Sequence, residues 1–542
     1  MKKKGNYIDV FSREIYPAEV LVEGGRIVSV VRIDEEQSCY IMPGFIDSHV
    51  HIESSMLVPS EFAVVAVRHG TVAVVSDPHE IANVLGKEGV VFMVNSGKSV
   101  PFKFYFGAPS CVPATPFESS GAVLDSADIK ELLADNDIYF LAEMMNYPGV
   151  INKDAEVTKK LEYARKSGKM VDGHAPGLRG KELRAYIDAG ISTDHEASDF
   201  EEAKEKLKRG MKILIREGSA ARNLEALAPL FKDYPGSLML CCDDIHPEML
   251  QERHINGPVK DLLGKDYDFF DVIRAASLNP VLHYKLDVGL LRAGDPADFI
   301  VVDNLKEINV LETWIEGNMV YKQGKVNFSA PALVHKNKFN CSVIKGKEIS
   351  VRNQHKLVRV IEVEDGELLT REKRYKWSDK NILEASVGED ILKIVVKDRY
   401  HDRPPVVGFV KGFQLKKGAF ASSVAHDSHN IIAVGTEDNS IVKAINALVE
   451  LKGGLSVVSD GETSILGLPV AGIMTDVPCG TIASQYLELS DKVKDMGSHL
   501  KAPFMTLSFM ALLVIPELKL GDKGLFDGIK FEFTSLFAEK QL

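Results

Sequence analysis

From residue 41 onward, short apolar runs alternate with stretches whose apolar positions recur three and four residues apart. The runs that read as strands cover residues 41–52, 71–77, 102–110, 138–146, 169–174, 191–195, 212–217 and 238–243. The stretches between them, such as 126–134, 154–167 and 198–209, open on capping residues and carry one apolar face, as outer helices would. Eight strand-helix units in succession predict an α/β fold, a TIM-type (β/α)8 barrel over residues 41–288.

Both flanks of this region have a different rhythm. Residues 18–25 and 26–33 alternate as short strands broken by turns, and the same texture returns at GLLRAGDPADFIVVD, residues 289–303, and for about fifty residues after it. Residues 1–40 and 289–340 are therefore expected to form one small β domain from two distant pieces. Beyond residue 341 strands at 391–396, 406–410 and 431–435 mix with a helix at 440–451, which predicts a C-terminal α+β domain over 341–542. The charged stretch 362–380 reads as a solvated hairpin or loop.

A chain of 542 residues exceeds what one core usually supports, which agrees with several domains. Its net charge of -12 argues against nucleic acid as a partner, because that affinity rests on neutralising phosphates with Lys and Arg. A small molecule fits better. No apolar run approaches the roughly 18 to 20 residues needed to cross a bilayer, so no membrane association is expected. The basic start, MKKKGNYIDVFSREIY, lacks the apolar stretch of a secretory signal, and the expected compartment is the cytoplasm. The six cysteines form no CxxC pair, so any metal must sit on histidines and carboxylates.

Barrel enzymes build their sites at the C-terminal ends of the strands, and here those ends are rich in metal ligands. The first strand ends Asp47-Ser48-His49-Val50-His51, and residues two apart on a strand point the same way, so both imidazoles face one centre. The fourth ends in Glu143, the fifth in His174, the sixth in His195 and the eighth in Cys242-Asp243-Asp244. A single strand-end histidine is usually only a hydrogen-bonding residue, but coincidence across five strands is hard to sustain. Such a nitrogen and oxygen set suits zinc, manganese, iron or cobalt, and two ions could share Glu143. Whether Asp243 or its neighbour Asp244 is the ligand stays open at this point, with Asp243 preferred.

Two other metalloenzyme patterns start and then fail. His51-Ile52-Glu53 mimics the first half of the zinc nucleobase deaminase signature, yet Pro478-Cys479 is not followed by the second cysteine. His79-Glu80 begins like a metalloprotease helix, but Asn83 stands where the second histidine belongs.

The run Pro43-Gly44-Phe45-Ile46-Asp47-Ser48-His49-Val50-His51, with His174, His195 and Asp243 following in order, closely resembles the amidohydrolase superfamily. Within it the chain is similar to the adenine deaminases. The blocks that carry this are His51-Ile52-Glu53-Ser54-Ser55-Met56, Ser76-Asp77-Pro78-His79-Glu80, Glu143-Met144-Met145-Asn146, Asp172-Gly173-His174-Ala175-Pro176, Thr193-Asp194-His195-Glu196 and Ala425-His426-Asp427-Ser428-His429-Asn430. Cys242 departs from the Thr or Ser expected before the metal-binding aspartate.

The resemblance implies two divalent ions, manganese first, with iron or zinc as alternatives. His49, His51 and Asp243 would hold one, His174 and His195 the other, and Glu143 would bridge them. A hydroxide between the ions would attack C6 of adenine, releasing ammonia and leaving hypoxanthine, a reaction of purine salvage. Asp243 would pass a proton to the leaving amine and Glu143 would assist transfer to a ring nitrogen. Glu53, His79, Glu80 and Ser110, with His426 and His429 of the last domain, are candidates for contacting the substrate; for His79 and Glu80 the alternative is an ordinary helix start. The expected assembly is a homodimer. The rival within the superfamily is an enzyme of a related purine or a cyclic amide, and those usually bridge their metals through a carbamylated lysine where this chain has Glu143. A barrel that has lost catalysis would be expected to lack ligands, and none is missing.

Overall fold

The computed structural model describes residues 1–377 and 381–538, which divide into two compact units. The first comprises Met1–Pro78, Val90–Cys111 and Leu124–Leu333, and the second His79–Gly89, Val112–Val123 and Val334–Leu542.

The first unit contains eight parallel strands in two arcs. One arc carries Phe45–His51, Thr71–Ser76, Lys103–Ala108, Ile138–Met144 and Met170–Gly173 side by side. The other carries Thr193–Asp194, Lys212–Arg216 and Leu238–Cys241. The eighth strand closes the barrel. Its Leu238–Cys241 part pairs with the seventh strand, and after Cys242 its Asp243–Asp244 part pairs with Val50 and His51 of the first. On the other side Ser192 N donates to Val171 O at 3.0 Å, joining the sixth strand to the fifth. The first two strands are buried along their whole length, as a parallel sheet covered on both faces requires.

Residues 41–52, expected as one strand, are two. Tyr40–Pro43 belongs to a different sheet, Gly44 breaks the run, and Phe45–His51 enters the barrel. The break has a steric cause: a Cβ on Gly44 would lie 2.3 Å from Val72 Cγ1 and 2.5 Å from Cγ2. Only glycine lets the chain pass this close to the second strand.

Tyr40–Pro43 pairs antiparallel with Phe299–Val302, and in parallel with Asn6 and Tyr7. It thereby joins Lys2–Asp9, Glu14–Glu23 and Arg26–Arg32 to Val310–Ile315, Asn318–Lys322 and Lys325–Val326 in one eight-stranded sheet. Its core gathers Tyr7, Val20 and Ile27 from the N-terminal flank with Leu291, Phe299 and Val301 from the other.

The outer helices follow the capping signals. Ser126–Ala134 is capped by Asp125, which accepts from Ala127 N and Asp128 N while Asp128 returns a bond to the cap. Ala155–Lys166 and Phe200–Lys208 are capped by Asp154 and Asp199.

The second unit is built on a nine-stranded sheet that includes Ile391–Lys397, Val406–Lys411 and Ile431–Gly435. Helix Asp438–Leu451 packs Ile441, Ala444, Ile445 and Leu448 against Val395, Ala419, Ala433 and Val458 of that sheet. In the charged segment 362–380, Leu357–Glu362 and Arg371–Lys376 form an antiparallel hairpin, and its last three residues lie outside the described ones, as do the last four of the chain.

Candidate metal centre

At the C-terminal mouth of the barrel the strand periodicity delivers both histidines of the first strand to one side. His49 Nε2 and His51 Nε2 lie 3.3 Å apart, and each is 3.2 Å from Asp243 Oδ1. The eighth strand reaches this position through an unusual backbone. Asp243 has φ 59°, in the left-handed region, so its carboxylate turns in towards the imidazoles. Asp244 is directed elsewhere: its Oδ1 accepts the Ser54 hydroxyl.

Glu143 divides its two oxygens. Oε1 is 3.3 Å from His51 Nε2, while Oε2 is 2.7 Å from His174 Nδ1 and 3.2 Å from His195 Nε2. The rings of His49 and His195 stack with centroids 4.1 Å apart, and His195 Nε2 is 3.8 Å from Asp243 Oδ1. Among the described residues the overlapping sets of converging donors include His49, His195 and Asp243, and Glu143, His174 and His195. All are buried except His174, which is partly exposed.

Ordinary hydrogen bonding does not account for this arrangement easily, since two Nε2 atoms face each other while both face the same carboxylate oxygen. Ligands about 2.0–2.1 Å from a common ion sit about 3.0–3.4 Å from one another; the contacts among His49, His51 and Asp243 and those of His51 and His195 with Glu143 have that spacing, while His174 to Glu143 is shorter and His195 to Asp243 longer. The donor set therefore fits divalent metal, with imidazole and carboxylate and no thiolate.

The charges are mutually supporting. Burial would raise the Glu143 carboxyl, but the charge and hydrogen bond of His174, with bonds from His195 and His51, hold it well below the usual range. Burial likewise opposes ionisation of Asp243, and Arg216, then His49 and His51, outweigh it. Burial lowers His174, yet Glu196 and Glu143 bring it up to about 9. His49 goes the other way, lowered by burial and by the neighbouring His195.

A supporting layer surrounds these donors. Asp194 Oδ1 accepts from Ala175 N, its Oδ2 accepts from Ala197 N and Lys206 Nζ, and Lys206 also reaches Glu202 and the Ala175 carbonyl. The residues adjoining His174 and His195 are thus tied to one buried ammonium. Asp172 is pushed up to about 7 by burial and accepts the hydroxyls of Thr193 and Tyr284.

Of the other residues singled out in the sequence, Glu53 is buried in the turn after the first strand, and Ser110 donates its hydroxyl to the Glu143 carbonyl. The remaining four, His79, Glu80, His426 and His429, belong to the second unit. Glu80 receives His426 Nδ1 on Oε1 and His429 Nε2 on Oε2, and His79 Nε2 is 3.6 Å from Glu80 Oε1. Sequence reasoning missed Arg216, which binds Glu196 and, at 2.7 Å, Asp243 Oδ2. Its position at the end of the seventh strand was the available signal, but a search for metal ligands passes over an arginine.

Comparison with known proteins places these features. The amidohydrolase family matches residues 40–320, and the adenine deaminase C-terminal domain matches residues 367–532. An adenine deaminase of Sulfurovum sp. is 54% identical across 98% of this chain and 99% of its own. An adenine deaminase of Methanosarcina mazei is 52% identical with both chains fully covered, and one of Parabacteroides distasonis is 48% identical over 98% of each. The chain belongs to the adenine deaminase family of the amidohydrolases.

Proposed function

We propose that this chain hydrolyses adenine to hypoxanthine and ammonia with the help of two divalent ions, manganese foremost. The observation that carries the reading is the division of Glu143, one oxygen towards His51 and the other towards His174 and His195, with Asp243 facing the His49-His51 pair. One carboxylate with two separately engaged oxygens is what a pair of ions needs as a shared ligand. The proposed holders are His49, His51 and Asp243 for one ion, His174 and His195 for the other, and Glu143 for both. Bound there, divalent ions supply Lewis acidity and lower the pKa of water towards neutrality.

The protein's own groups then manage the protons. The oxygen of water bonds to C6 and the C6 to amine bond breaks. Asp243, kept ionised by Arg216, is the group that takes the proton leaving the attacking water. It returns that proton to the departing amine, which leaves as ammonia. Glu143 lies beside the same centre and serves the transfer to a ring nitrogen. Burial of the donor set excludes bulk water from these exchanges.

The family reading extends to a homodimer working in purine salvage in the cytoplasm; among the described residues no helix is long and apolar enough to cross a membrane. Ammonia release from adenine, adenosine, cytosine and dihydroorotate, each with added manganese, tests the substrate. Adenine is expected to give the highest kcat/KM, and a preference for the nucleoside or for the cyclic amide would overturn the proposal.

A further inference from the structure

Asp243 touches two kinds of neighbour through two different oxygens. Oδ1 faces the Nε2 atoms of His49 and His51, and Oδ2 accepts a hydrogen bond from Arg216 Nη1 at 2.7 Å. The same Nη1 also bonds Glu196 Oε1. The guanidinium is buried, and its Nε donates to the Ala221 carbonyl at 2.8 Å. Its backbone is held as well, since Arg216 N donates to Asn223 Oδ1 and Asn223 Nδ2 donates to the carbonyls of His195 and Ala197, on either side of Glu196. Arg216 is thus fixed at both ends and cannot drift from the two carboxylates.

We propose that Arg216 is a positioning residue of the metal centre: it occupies one oxygen of Asp243, so that Oδ1 alone is presented to the imidazoles, and it restrains Glu196 from entering the donor set. The second part rests on distance. Glu196 Oε1 is 3.4 Å from His195 Nε2 and 3.8 Å from His174 Nδ1, close enough to become a further ligand if released. Two carboxylates this near one another need a cation between them; Arg216 Nη1 donates to both while Nε stays anchored on the Ala221 carbonyl, a third contact that a lysine ammonium on its shorter stem would not keep. Without the guanidinium Asp243 is free to turn both oxygens inward and Glu196 to swing onto the second ion's side. The centre would then hold metal in the wrong geometry and less tightly.

This inference rests on the metal centre proposed above, and the test separates the two. Metal retention is measured by chelator competition and elemental analysis on folded, purified wild-type, Arg216→Met, Arg216→Lys and Arg216→Met/Glu196→Gln proteins, with kcat and KM for adenine alongside. The positioning role predicts that Arg216→Met weakens retention about 10–100-fold, the scale set by loss of a group that orients a ligand, and lowers kcat with little change in KM. Arg216→Lys should fall between it and the wild type. Adding Glu196→Gln should recover part of the retention, because it removes the charge that Arg216→Met leaves unpaired. If Arg216→Met does not fold, retention by Arg216→Lys below that of the wild type carries the same meaning. A wild-type protein that binds no metal would overturn the metal centre itself. Wild-type protein that binds metal, with Arg216 variants that retain it equally well, would overturn the role of Arg216.

Discussion

His254 Nε2 lies 2.9 Å from Asp47 Oδ2, and both side chains are fully buried. The other oxygen of Asp47 accepts from His49 N at 3.3 Å and from Cys242 N at 3.1 Å, while His254 Nδ1 meets the Thr71 hydroxyl at 2.7 Å. One carboxylate therefore joins the first strand to the eighth, next to His49 and Asp243. Asp47→Ala is expected to orphan two backbone N–H groups and His254, destabilising the barrel by about 1–3 kcal/mol. Denaturant midpoints report the loss, and elemental analysis should show metal depleted as well; unchanged values of both would deny the clamp.

Glu143→Gln keeps the shape of the side chain and removes its charge. It is expected to lower metal content from about two ions towards one and to cut turnover by at least about a hundredfold. His49→Ala should do similar damage. Ser48→Ala should be mild, because the buried Ser48 hydroxyl has no hydrogen-bond partner among the described residues. Elemental analysis and steady-state rates on the three variants decide the matter, and near-normal turnover of Glu143→Gln with both ions bound would make this carboxylate structural.

His69 gives the barrel a dependence on acid that is separate from catalysis. Burial and the neighbouring His254 lower it to about 4, and its Nε2 meets the Leu250 carbonyl at 2.8 Å. A histidine whose folded pKa is depressed takes up its proton in the unfolded chain first. Its contribution is therefore full above the unfolded value near 6.5 and is lost as pH falls from there to about 4, amounting to about 3 kcal/mol. His69→Gln should flatten the decline in stability across that window, as measured by unfolding at pH 7, 6, 5 and 4. An identical slope in the variant would show that other groups carry the effect.

Gly44 separates the two strands that run as one in the sequence. A valine there would drive its Cβ into Val72, and Gly44→Val is expected to cost about 1–3 kcal/mol or prevent folding. Thermal unfolding of Gly44→Val and Gly44→Ala tests this, with the smaller residue less harmful; wild-type stability in both would contradict the steric reading.

The barrel was legible because its strands are short, apolar and regularly spaced, and the convergence of His49, His51, Glu143, His174, His195 and Asp243 was legible because all six stand at strand ends. Between the adjacent Asp243 and Asp244 the sequence only favoured the former, and what separates their side chains, the left-handed backbone at Asp243 and the Ser54 bond to Asp244, is not written in two identical residues. The split at Gly44 was hidden for a similar reason, since apolar residues look alike whichever sheet they join. Arg216 and Lys206 read locally as ordinary charged positions. Only carboxylates brought beside them from other strands, Asp243 and Asp194, show that both are buried counter-ions. Nor does local pattern reveal that His79–Gly89 and Val112–Val123 pack with the C-terminal region, because that depends on partners hundreds of residues away, such as His426 for Glu80.

The central claim is that these histidines and carboxylates deaminate adenine through bound divalent metal. It is tested most directly by stripping the protein with a chelator, adding back manganese, iron or zinc in measured equivalents, and following ammonia release from adenine. Activity should vanish in the stripped protein and return in proportion to metal, levelling off at about two equivalents per chain. Full activity in protein shown by elemental analysis to be metal-free would contradict the account.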